Sequence, residues 1–147
     1  MKWSGDIMVK LCYQEFGSPE KFFSALEKEG WSFSVDGEVS YLLDNENGLF
    51  DYIHVSESEW PKIKKELINY LNKGEEVGVS VKFGNEKASW LMHIYPNFEK
   101  IQFSVEHYRK TIPETNITDF SWHLSYIIPG LVKTGYSVEE VVCTHYF

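Results

Sequence analysis

Cysteine is scarce in this chain: Cys12 and Cys143 are the only two among 147 residues. Two are too few for a disulfide framework. Their place in β-like runs predicts buried free thiols and a reduced, cytoplasmic setting. Long apolar runs are missing as well. No stretch approaches 18 such residues, so no membrane span is expected. The opening Met1-Lys2-Trp3-Ser4-Gly5-Asp6 has neither an apolar core nor a small-residue cleavage site, so no secretory leader is read there. No linker rich in Pro, Gly or Ser interrupts the chain, and no segment is of low complexity. Residues 1–147 are therefore expected to form a single domain. Bases are outnumbered by acids, 14 to 22, which sets the formal charge at −8. That balance argues against direct binding of nucleic acid and against an anionic membrane surface, both of which need Lys and Arg.

Chemical motifs are equally sparse. No Walker loop or GxGxxG is present, so phosphate-cradling chemistry is not expected. No GxSxG elbow exists, and neither cysteine has a nucleophile's context. Among His54, His93, His107, His123 and His145, no pair has the i, i+4 spacing of HExxH. His93, His145 and Cys143 could form a metal site only if the sheet brought them together. Asp44-Asn45-Glu46-Asn47-Gly48 is rich in oxygen, but the sixth position is Leu49, where an EF-hand loop needs Gly. It reads as a polar turn. The adjacent acids Glu75-Glu76 and Glu139-Glu140 point to opposite faces of a strand and read as solvated. No metal, cofactor or catalytic residue is predicted, and an enzyme is the less favoured class.

What the chain does have is rings: five Trp, nine Tyr and ten Phe. That exceeds what a core strictly needs, so some rings should be exposed or line a groove. Helices are predicted over 18–29, 58–73 and 118–134. Ser18 and Pro19 open the first, Ser58 and Pro61 the second, and Thr118 with Asp119 the third. Pro129 should kink or split the last. Period-2 runs mark strands near 7–13, 31–35, 39–43, 49–55, 77–83, 87–95, 101–105 and 138–147. Asp36-Gly37 and Gly84-Asn85 supply short hairpin turns, which imply antiparallel pairing. The expected fold is α+β: one curved, mostly antiparallel sheet of about six to eight strands, packed against two or three helices.

Charge is distributed unevenly along this pattern. Residues 29–61 carry eight carboxylates and no Lys or Arg, leaving 14 acids against 14 bases elsewhere. Six aromatics share the window: Trp31, Phe33, Tyr41, Phe50, Tyr52 and Trp60. In strand 49–55, Leu49, Ile53 and Val55 are expected to point inward. Phe50, Tyr52 and His54 then share a face that needs a cover. With Asp44, Glu46, Asp51, Glu57 and Glu59 around it, that face suits docking of a basic protein partner.

In size, charge and composition the chain is similar to immunity proteins and antitoxins that neutralise bacterial toxins, often nucleases. The resemblance implies a non-catalytic binder whose carboxylates stand where nucleic-acid phosphates would lie. A second reading is a small-molecule binder or enzyme with an aromatic pocket of Trp90, His93, Trp122 and Tyr126. A third is a homodimer that buries the Phe50 and Tyr52 face.

Overall fold

The computed structural model describes residues 4–12, 18–43 and 51–146. The elements run β1 (Ser4–Cys12), α1 (Pro19–Lys28), β2 (Trp31–Ser32), β3 (Glu38–Leu43), β4 (Ile53–Ser56), α2 (Trp60–Asn72), β5 (Val77–Phe83), β6 (Ser89–Ile94), β7 (Lys100–His107), α3 (Phe120–Val132) and β8 (Ser137–Tyr146). The strands make one eight-stranded sheet in the order β4-β3-β5-β6-β7-β1-β8, with β2 beside β3 on the same side of β5. Every pairing is antiparallel. The fold is α+β, with three helices on an open antiparallel sheet.

Period-2 alternation sorts the sheet residues into two faces. Ile7, Val9, Val39, Tyr41, Val77, Val79, Val81, Trp90, Met92, Ile94, Ile101 and Phe103 share one face and are buried. They form a single cluster with Phe22, Phe23 and Leu26 of α1, Ile63, Leu67 and Leu71 of α2, and Ile127 and Leu131 of α3. The other face carries Ser40, Leu42, Gly78, Ser80, Leu91, His93, Gln102 and Ser104, as the register of β3, β5, β6 and β7 requires.

The core absorbs most of the rings. Phe33 stacks on Trp60 at 4.8 Å, and Phe23 meets both edge-on. Trp31 packs edge-on against Phe83 and Phe103. Its indole also lies against Gly130 of α3, where a Cβ would fall 2.6 Å from Cζ2. Of the window aromatics, Trp31, Phe33 and Tyr41 are thus structural. Tyr108 and Tyr146 are the large exposed rings among the described residues.

Several local expectations shift. Asp36 and Gly37 do make the turn, both in the left-handed region at φ 52° and 81°, between bridged Val35 and Glu38. The 31–35 strand, however, shortens to Trp31–Ser32. A 3-10 turn, Glu57–Glu59, capped by Ser56, precedes α2, whose own N-cap is Glu59 without a side-chain bond and not Ser58. Asp119, not Thr118, caps α3, with its carboxylate accepting from Trp122 N at 3.2 Å. Pro129 neither splits nor ends α3, which continues to Val132. It lies in the last turn, where its missing N–H removes a single bond. Turn 45–48 and the start of strand 49–55, Leu49 included, lie outside the described residues. No helix among the described residues is long and apolar enough to cross a membrane.

Candidate functional site

Among the described residues β4 is one edge of the sheet and pairs with β3 alone, through Glu38 with Ser56, Val39 with Val55, Ser40 with His54, and Tyr41 with Ile53. This register puts Ile53 and Val55 on the helix-covered face and His54 on the other, as the alternation predicts. Val55 packs against the core, but Ile53 on the same face stays 50% exposed. His54 holds its place through Nδ1, 2.7 Å from Ser40 Oγ.

The carboxylates frame this edge rather than pile up at one point. Asp36, Glu38 and Glu57 gather at one end of β4, where Glu57 N donates to Gly37 O at 3.0 Å. Glu57 also accepts from Ser34 Oγ at 2.7 Å. Glu57 and Glu59 sit at the N-terminal end of α2, where the helix dipole favours negative charge, so part of the acidity serves the fold. Asp51 lies beyond the other end of β4 and is exposed, like Glu57 and Glu59. Asp44, Glu46 and Phe50 lie outside the described residues.

Tyr52 crosses from this edge onto the uncovered sheet face. A Cβ on Gly78 would overlap Tyr52 Oη and stand 2.8 Å from Cζ, so the missing side chain is what lets the phenol lie there. Tyr52 then borders a cavity of about 310 Å³ with Leu91, His93, Gln102 and Ser104. Polar bonds fix its lining. His93 Nε2 pairs with Glu76 Oε2 at 2.9 Å, Tyr95 Oη donates to Gln102 Oε1 at 3.0 Å, and Gln102 Nε2 donates to Ser104 Oγ at 3.4 Å. Burial, with Glu76 and Asp6 adding to it, pushes the Tyr95 phenol up, so it remains a donor at neutral pH. Glu76 is thus bonded to His93 and is not the freely solvated acid expected of the Glu75-Glu76 pair.

Gly78→Ala is expected to unseat Tyr52 and to cost about 1–3 kcal/mol through overpacking. Urea unfolding measures the cost, and the NMR signals of the Tyr52 ring report its movement. Unshifted ring signals would show that the phenol does not depend on this contact.

The other sequence candidates separate. Trp90, His123, Trp122 and Tyr126 do pack together, but without a closed cavity lined by all four: Trp90 and His123 are fully buried, with Trp90 Nε1 donating to His123 Nδ1 at 2.9 Å, and Trp122 and Tyr126 lie half-buried beside them. His93 belongs to the opposite face, so the anticipated four-residue pocket does not form. His145 also lies away from His93. It sits on β8, on the helix side, with Nδ1 2.9 Å from Thr118 Oγ1. No group of His, Cys, Asp and Glu suited to a metal ion occurs among the described residues. The cysteines are free: Cys12 pairs with Ser137 at one end of the β1–β8 ladder, and Cys143 pairs with Ile7 near its middle. Contrary to expectation, Cys143 is exposed, because β8 is the other sheet edge.

The sequence reading missed Gln102 and Ser104 as cavity groups and Glu76 as the partner of His93. The signal was available in principle, since these polar residues and His93 occupy the positions in or beside strands that alternate with buried ones. Which strands would be neighbours was not legible. No known family, no curated protein and no solved structure matches this chain.

Proposed function

We propose that the protein binds a basic protein partner along the β4 edge and is not an enzyme. The observation that carries this reading is the edge itself. It is a short open strand with half-exposed Ile53, framed by Asp36, Glu38, Asp51, Glu57 and Glu59, inside a 33-residue window without Lys or Arg. Charge complementarity of this kind steers a cationic surface into place, and Ile53 and Tyr52 offer apolar contact once it arrives. A nuclease toxin is the partner class this pattern suits. Its phosphate-binding site is cationic, and the carboxylates would occupy it as an immunity protein's do.

The test replaces Asp51, Glu57 and Glu59 together by Lys. Capture of basic proteins from native lysate should fall about 100-fold at low salt, with the melting curve preserved. Replacing exposed Lys62 and Lys65 of α2 by Glu serves as the control and should retain capture. An unchanged set of bound proteins in the triple variant would sink the proposal. A second reading rests on the cavity beside Tyr52: its His93–Glu76 pair and bonded Gln102 are polar groups fixed in advance, as a small-molecule site requires.

A further inference from the structure

The chain's single arginine lies far from the acidic edge, in a second cavity. Antiparallel pairing of Ser89 with His107 brings the β5–β6 turn beside the segment that follows β7. Between them is a cleft of about 470 Å³, lined by Asn85, Glu86, Lys87, Ala88, Tyr108, Arg109 and Lys110. Three cations and one carboxylate line it, in a protein whose acids otherwise exceed its bases. Glu86 is occupied by the Tyr126 phenol, which donates to Oε1 at 3.1 Å. Neither Lys87 nor Lys110 has an ion pair among the described residues. Each ammonium lies instead over a ring, Lys87 at 6.0 Å from Tyr108 and Lys110 at 5.2 Å from Trp122.

Arg109 is held in place before any ligand arrives. Nη1 donates to Asn116 O at 3.1 Å and to Thr118 Oγ1 at 2.9 Å, and Nη2 donates to Asn116 Oδ1 at 2.8 Å. Of the fork's five N–H groups, two remain without a partner among the described residues. Tyr108, which precedes Arg109, has φ 53° and is 67% exposed. A left-handed backbone at a bulky residue is strained, and such strain tends to collect at ligand sites.

We propose that this cleft binds a small organic anion that joins a phosphate group to a flat ring, as a nucleotide does through its sugar. Lys87, Lys110 and the two remaining Arg109 donors hold the phosphate, and the ring lies on Tyr108. No glycine-rich loop is needed, because side chains rather than backbone amides supply the donors. Three cations in a concave site favour an anion locally over the field of the distant acids, which salt screens within about 10 Å.

The test is an NMR titration of the whole protein with adenosine monophosphate and, separately, with inorganic phosphate. Amide signals of 86–88 and 108–110 should shift with both, and the nucleotide should bind about tenfold more tightly because of the ring. Replacing Lys87 and Lys110 together by Gln should weaken both ligands about tenfold without moving the melting temperature. Tyr108→Ala should weaken only the nucleotide. Silence of these amides toward both probes overturns the site, as does equal binding by the Lys double variant. Equal affinity of phosphate and nucleotide overturns the role of Tyr108.

Discussion

Trp90→Ala is expected to destabilise the protein by about 3–5 kcal/mol, a large share of the roughly 5–15 kcal/mol typical of a domain. Trp90 is 0% exposed at the centre of the sheet, and its ring meets that of His123 edge-on at 4.3 Å. Truncation opens a void where α3 packs on β6 and leaves His123 Nδ1 without its donor. Trp90→Phe separates the two contributions, since it keeps most of the packing and loses only the N–H. Its cost should be about 1–3 kcal/mol, that of an unsatisfied buried acceptor. Urea unfolding of both variants measures the difference. Equal losses would mean that packing around Trp90 contributes little.

Acid is expected to destabilise the protein through His123. Nδ1 accepts from Trp90 Nε1, so the ring is neutral and its proton sits on Nε2, which is buried without a hydrogen-bond partner among the described residues. Burial lowers the His123 pKa to about 4; Asp119 opposes this, and Arg109 and Lys110 add to it. In the unfolded chain the value is about 6.5. Between these values the unfolded state binds a proton that the folded state refuses. The stability due to neutral His123 is therefore complete above about pH 6.5, falls as the pH drops toward 4, and is lost below that. The loss amounts to about 3 kcal/mol. Urea midpoints across this range should fall with acid, and His123→Gln should flatten the slope by about one proton. An identical slope in the variant would assign the acid sensitivity to other groups.

Both predictions concern a residue pair that the sequence placed only by type. Trp90 reads as a strand residue and His123 as a helix residue, yet nothing in either pattern says that they touch. The same holds at the uncovered face. Tyr52 and Gly78 are 26 positions apart, and the absent Cβ of one makes room for the ring of the other only because β3 and β5 are neighbours. The Lys87, Arg109 and Lys110 cleft depends on β6 pairing with β7.

What the sequence alone determined was local. Period-2 and 3.6-residue spacings set the element types, Asp36-Gly37 set a turn, and the carboxylate count set where the charge lies. These follow from backbone geometry and side-chain chemistry within a few residues. Tertiary structure decided strand order, and with it which edge is open, which rings fill the core and which polar groups share a cavity. Pairing between distant strands depends on contacts that no local pattern encodes, and a face's partner is known only when its neighbour is.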